Sequence, residues 1–188
     1  VDTRKGFTSI SGASITGYVE TLMAYHGEIT NKLFAASSNG TIYDVTTVDD
    51  YVATESGEDL ETEDGRLILA SSAGSSASLT GMSNGRFQYI NYANSGGNYI
   101  YIVNGTDTAR HYNGSVWAAP SITGVTSSDL IHINAHKRRI WFVEEGALSA
   151  WYLAVESISG TATEFDLKSF ATKGGYLMAM ATATLEGG

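Results

Sequence analysis

His132 and His136 stand four residues apart, a spacing that on a helix turns two imidazoles toward one metal ion. Their neighbours, Leu130-Ile131-His132-Ile133-Asn134-Ala135, read as a strand, where four positions separate side chains by about 13 Å at ~3.3 Å per residue. Shared chelation is not expected, and His26 and His111 have no ligand-like neighbours. Asp49, Asp50, Glu55, Glu58, Asp59, Glu61, Glu63 and Asp64 place eight of the 20 carboxylates within 16 residues. That density suits calcium, but the D-x-[DN]-x-[DN]-G order of an EF-hand loop is missing, so a solvated loop is expected. Glu144, Glu145, Glu164 and Asp166 are candidates for the paired carboxylates of a glycosidase, yet Glu144-Glu145 falls where a hairpin tip ordinarily carries charge. Ser14 in Gly12-Ala13-Ser14-Ile15-Thr16 lacks the second glycine of a nucleophile elbow, and no phosphate-loop pattern occurs. With zero Cys there is no thiolate nucleophile, thiolate metal site or disulfide. The reading is a non-enzyme, with no catalytic residues, metal or cofactor.

The elements that would position any of these residues are short strands. Leu130–Ala135, a basic turn at His136, Lys137 and Arg138, Arg139–Glu144, a Glu145-Gly146 turn and Leu148–Leu153 form a three-stranded meander. Ile140-Trp141-Phe142-Val143 does not alternate, which predicts a strand covered on both faces. Looser copies precede it. One takes Leu22–His26, Lys32–Ala36 and Thr41–Val45; the other takes Phe87–Tyr92, Asn98–Val103 and Arg110–Trp117. The expected core of the meanders is Leu33, Phe34, Tyr43, Ile100, Tyr101, Tyr112, Ile140, Trp141 and Trp151. Its aromatics recur across each turn as Phe34 and Tyr43, Tyr101 and Tyr112, Trp141 and Trp151. Tyr176–Met180 reads as the first strand of a fourth copy.

Antiparallel meanders repeating at about 40 residues predict an all-β fold, a β-propeller or part of one, with about three blades and the start of a fourth. The step from Leu33 to Ile100 is 67 residues and that from Ile100 to Ile140 is 40, so the first copy carries an insertion, the acidic stretch 46–66. Residues 1–18 read as an N-terminal arm and 19–188 as the propeller-like domain. Leu67–Ala70 is a candidate short strand, Ser71–Ser78 a flexible connector, and Ser157–Lys173 a loop with one helical turn closed by Gly174-Gly175. Asn-Gly pairs at 39, 84, 104 and 113 predict type I′ turns. Three of them spell glycosylation acceptors, taken as coincidental.

A net charge of −9 disfavours nucleic-acid binding, and no apolar run approaches the ~20 residues of a membrane span. The start at Val1 and the stop soon after the fourth copy's first strand suggest a processed or excised part of a longer chain. A closed ring takes at least four blades, which predicts outer faces carrying Leu33, Phe34 and Met178 that need a second copy or a partner chain.

The segments VETLMAYHG (19–27), NKLFAASSNGTIYDVT (31–46), NYIYIVNGTDTARHYNGSVW (98–117), RRIWFVEEGALSAWYL (138–153) and EFDLKSFATKGGYLMAMAT (164–182) resemble tail-associated structural proteins of double-stranded DNA bacteriophages. The likeness is nearest to propeller-bearing tail hub or nozzle proteins of short-tailed phages. It implies a non-enzymatic virion role in the tail, assembly in the host cytoplasm, and contacts with copies of itself and other tail proteins around a channel through which DNA passes. The alternative from another class is a carbohydrate-binding propeller, with Trp117 and Trp151 among its stacking aromatics.

Overall fold

The computed structural model describes residues 15–46, 49–51, 69–71, 76–171 and 173–183. The described chain is all-β, and three four-stranded antiparallel sheets dominate it. The first contains β1 (Val19–His26), β2 (Asn31–Ser37) and β3 (Ile42–Asp44), then an insertion with the antiparallel pair β4 (Asp49–Tyr51) and β5 (Leu69–Ser71), then β6 (Ser76–Leu79). The second runs β7 (Gln88–Asn94), β8 (Gly97–Val103), β9 (Arg110–Tyr112) and β10 (Trp117–Ala118). After β11 (Ile122–Thr123) and a 3-10 turn at Ser127–Asp129, the third contains β12 (Leu130–His136), β13 (Arg139–Glu144) and β14 (Ser149–Tyr152). It is completed, beyond β15 (Gly160–Thr161), by β16 (Thr163–Asp166). β11 and β15 pair in parallel and tie the connection that enters the third sheet to the one that joins β14 to β16.

Each sheet has one strand more than the three-stranded reading predicts. Asn113-Gly114 splits Arg110–Trp117 into β9 and β10, and the end of the serine-rich connector is β6. The loop-and-helix expectation for Ser157–Lys173 gives way to β15 and β16; a single helical turn survives at Leu167–Ala171, where Ala171 N donates to Leu167 O at 3.0 Å. β16 ladders with β14 because Trp151 and Tyr152 offer an unpaired edge. Tyr176–Met180 is extended but is not a ladder strand, since no second strand lies beside it. Most of the acidic insertion and residues 1–14 lie outside the described residues. Residues 15–18 of the arm lie along β2 and β3, with Ser38 N donating to Tyr18 O at 2.9 Å.

Side-chain alternation sorts each sheet into two faces. Met23, Tyr25, Phe34, Ala36 and Ile42 from the first sheet meet Ile100, Ile102 and Tyr112 from the second in one core cluster. From its other face the second sheet sends Tyr92, Tyr101 and Val103 against Leu130, Ile133, Ile140 and Phe142 of the third. The sheets therefore stack in sequence order: β7 lies against β12, whereas β1 lies closer to β8 than to β7. The second sheet is the one covered on both faces, and Ile100-Tyr101-Ile102-Val103 is fully buried.

Register corrects the aromatic pairs. Phe34 lies opposite Asp44, Tyr101 opposite His111, and Trp141 opposite Tyr152, so each sequence-matched pair is one residue out of step. A one-residue offset puts the two side chains on opposite faces. The true cluster crosses the sheets: Tyr112 packs on Tyr25 at 5.2 Å and on Phe34 at 5.1 Å, and Trp117 packs on Phe34 at 5.3 Å. Phe34 is accordingly a core residue between two sheets and does not sit on an outer face. Leu33 does sit there and stays 40% exposed, outside the core.

The Asn-Gly turns also differ from expectation. In all four the Asn side chain accepts a hydrogen bond from the backbone N–H two residues on, at 2.9–3.2 Å. This is an Asx-turn, in which the asparagine keeps negative φ. At Gly40, φ is 78° and an added Cβ would meet Met82 O at 1.6 Å, so no side chain fits there. The hairpin with both central residues left-handed is Lys137-Arg138, at φ 48° and 59°. Each costs a non-glycine residue about 1–2 kcal/mol.

Candidate functional site

The stack leaves two outer sheet faces, and part of the apolar surface outside the core lies on them. On the first sheet Leu22 and Leu33 face outward from β1 and β2. On the third, the register groups Arg139, Trp141, Tyr152 and Phe165 on one face with Asn134 and His136. Trp141 packs on Tyr152 with ring centroids 4.7 Å apart and meets Phe165 at 6.1 Å, while the Arg139 guanidinium sits 5.0 Å over the Tyr152 ring. Burial, aromatic contact and a cation over a ring give this face the composition of an interface core. Trp141 Nε1 is buried without a hydrogen-bond partner among the described residues.

The segment 174–183 crosses this face. Leu177 N donates to Ala147 O at 2.8 Å, Asn134 Nδ2 to Met180 O at 3.0 Å, and Thr182 Oγ1 to Ala135 O at 3.1 Å. It leaves a cleft of about 710 Å³ bordered by Gln88, Ile131, His132, Glu145, Tyr176 and Met178. A smaller one of about 200 Å³ is bordered by Asn134, His136, Trp141, Met180 and Thr182. Met178, expected on an unpartnered face, is 62% exposed at the first cleft.

Burial pushes the His132 imidazole below its ordinary value, and its Nδ1 has no hydrogen-bond partner among the described residues. His111 is likewise shifted down by burial, beside the Tyr99 and Tyr101 rings. Among the described residues no group of three or more His, Asp or Glu side chains converges on a metal position. Two of the candidate carboxylates are engaged in the sheet, Glu144 accepting from Trp151 Nε1 at 2.9 Å and Glu164 from Ser149 Oγ at 2.6 Å; Asp166 accepts from Lys168 N at 2.8 Å, and Glu145 borders the larger cleft. Trp117 donates to Ser78 Oγ at 2.9 Å, so both tryptophans offered as sugar platforms are held inside sheet packing. The platform that does lie on an outer face is Trp141, Tyr152 and Phe165. The sequence places Trp141 in the core and counts Trp141 and Tyr152 among many aromatics able to stack on a sugar, but gives Phe165 no role; the register of β13, β14 and β16 is what brings the three together.

At the end of the stack where β12 turns into β13, Arg138 pairs with Glu156, and Arg138 O accepts from Tyr92 Oη at 2.8 Å and from Glu156 N at 2.8 Å. Asn94 Nδ2 donates to Glu156 O at 2.7 Å. Glu156, at φ 60°, joins Lys137 and Arg138 as the third left-handed non-glycine residue among those described. No helix of the described chain is long and apolar enough to cross a membrane. No protein-family model, curated protein or solved structure matches the chain.

Proposed function

We propose that this chain is a non-enzymatic structural component of a double-stranded DNA bacteriophage tail, of the hub or nozzle type. In this reading the three stacked sheets are consecutive blades of a β-propeller, and the chain works by assembly with copies of itself and with other tail proteins. The observation that carries it is the contrast within the stack: a middle sheet buried on both faces lies between two sheets that each keep one apolar outer face. A sheet face with Leu22 and Leu33, or with Trp141, Tyr152 and Phe165, lowers its free energy by meeting another sheet, at about 25 cal/mol per Å² of apolar surface removed from water. The extended segment 174–183 already lies over the third sheet, and an asparagine bridges to neighbouring backbone there as Asn91 does between β7 and β1. The sequence resemblance supplies the virion.

Mass spectrometry of purified phage particles tests the reading. The chain is expected among the structural proteins, and its absence from particles rejects the proposal. A second reading, carbohydrate binding, is favoured by the Trp141–Tyr152–Phe165 platform alone. Quenching of tryptophan emission by added glycans in the native chain, lost on Trp141→Ala, would replace the first reading with it.

A further inference from the structure

Positive charge gathers at one place on this acidic chain. His136, Lys137, Arg138 and Arg139 are consecutive at the β12–β13 tip, and Lys137 and Arg138 are exposed. Elsewhere the described chain uses glycine at eleven left-handed positions, but this two-residue turn holds Lys and Arg at φ 48° and 59°. Asn-Gly, the unstrained choice, occurs four times in the sequence and is not used here. Strain kept on two exposed cations is an outlier that points to function. The tip is also fixed in place. Tyr92, Glu156 and Asn94 brace it, as described above, and Arg139 Nη1 donates to Leu153 O at 3.4 Å. Cations mounted this rigidly lose little freedom when an anion docks.

We propose that this tip docks an acidic polypeptide, the stretch Glu55–Asp64 of a second copy of the chain. That stretch carries six carboxylates in ten residues and no cation. It lies outside the described residues, but its point of departure is set by topology. β3 is antiparallel to β2 and so runs with β1, leaving the first sheet at the end where β1 turns into β2. That end is shared: Tyr25 Oη donates to Asn98 O beside the β7–β8 turn, and Tyr92 and Asn94 near that turn reach the basic tip. The point where the chain leaves β3 and the basic tip therefore sit at one end of the stack, on its first and third sheets. A second copy stacked in line brings its first sheet beside the third sheet of the first copy, and the root of its insertion, at the end of β3, to the same end as the tip. Nucleic acid fits less well. Three permanent cations, one already paired with Glu156, fall short of the roughly 6–10 phosphate contacts that strong nonspecific binding draws on.

The inference rests on the assembly reading for its second copy, and salt separates the two. Docking at the tip is ionic and weakens as salt rises, whereas sheet-face association is apolar and does not. The test compares full chains by light scattering at about 0.05 and 0.5 M salt. One variant carries Lys137→Glu with Arg138→Glu; the other carries Glu58→Gln, Asp59→Asn, Glu61→Gln and Glu63→Gln. Cooperative melting of each confirms folding. Wild type is expected to associate more tightly at low salt, by about tenfold or more, and each variant alone to lose that difference. An equimolar mixture of the two variants is expected to recover it, since one supplies the stretch and the other the tip. Wild-type association indifferent to salt and to tip reversal overturns the proposal. So does a mixture that stays as weak as its parts, which would place the contact within one chain. Binding of a 20-mer DNA duplex by wild type, abolished by tip reversal, assigns the tip to phosphates and overturns it as well.

Discussion

The hairpin strands Ile100-Tyr101-Ile102-Val103 and Ile140-Trp141-Phe142-Val143 have nearly the same pattern and the same place in their sheets, yet different surroundings. Ile100 and Ile102 pack on the first sheet and Tyr101 and Val103 on the third, so β8 has a neighbour on each side. In β13, Ile140 and Phe142 pack on the second sheet, whereas Trp141 lies half-buried on the outer face among Tyr152, Phe165 and the crossing segment. An apolar run fixes that both faces of a strand want cover. Whether both receive it depends on how many sheets stand in the stack. Trp141 is therefore the side chain at which stability and association part company.

The sharpest way to break the comparison is truncation on the two sides of one strand. Phe142→Ala is expected to cost about 3–5 kcal/mol in denaturant unfolding, because it empties a site between two sheets. Trp141→Ala on the same strand is expected to cost the isolated chain less than about 2 kcal/mol, since part of its surface already meets water, and to weaken self-association instead. Equal losses from the two would mean that the third sheet has no open face. The first sheet offers a smaller replicate. Phe34→Ala should destabilise by about 3–5 kcal/mol and its neighbour Leu33→Ala by about 1 kcal/mol, read from the shift in denaturant midpoint.

Acid should act through two half-buried histidines, His111 on the covered sheet and His132 on the third. Burial lowers the affinity of His111 and His132 for protons, so the unfolded chain binds more protons than the folded one between their folded pKa values and 6.5. Stability is then fully present above about pH 6.5 and falls as pH drops below it. His111→Gln is expected to flatten that slope in melting curves taken between pH 7 and 5; an unchanged slope would place the titrating groups elsewhere. The smallest effect is at the hairpin tip. Lys137→Asn relieves one left-handed residue and should raise stability by up to about 1 kcal/mol, while removing a cation from the proposed docking site. A stability loss there would show that the lysine, not the backbone, decides the conformation.

Much of the layout was legible in the chain itself. Strand-forming runs bounded by glycine and charge located the first three strands of every sheet, and the 67-residue step located the insertion, because a period-two pattern and turn chemistry are local properties. The fourth strands escaped for the same reason. Ser76–Leu79 and Thr163–Asp166 carry little apolar pattern and become strands only because β3 and β14 present unpaired backbone edges. Register was likewise decided in three dimensions: Phe34 and Tyr43 are matched by spacing, but a single-residue offset sends them to opposite faces. The Asn-Gly signal was read correctly as a turn and wrongly as type I′, since the asparagine side chain, by capping the backbone two residues on, holds its own φ negative. Lys137 and Arg138 were visible as a turn but not as left-handed residues, a state imposed by the two-residue link between β12 and β13 and fastened by Tyr92 and Glu156. Sequence determined that strands would form and turn; the stacking of one sheet on the next decided which side chains became core and which were left at a surface, because burial belongs to the neighbour as much as to the residue.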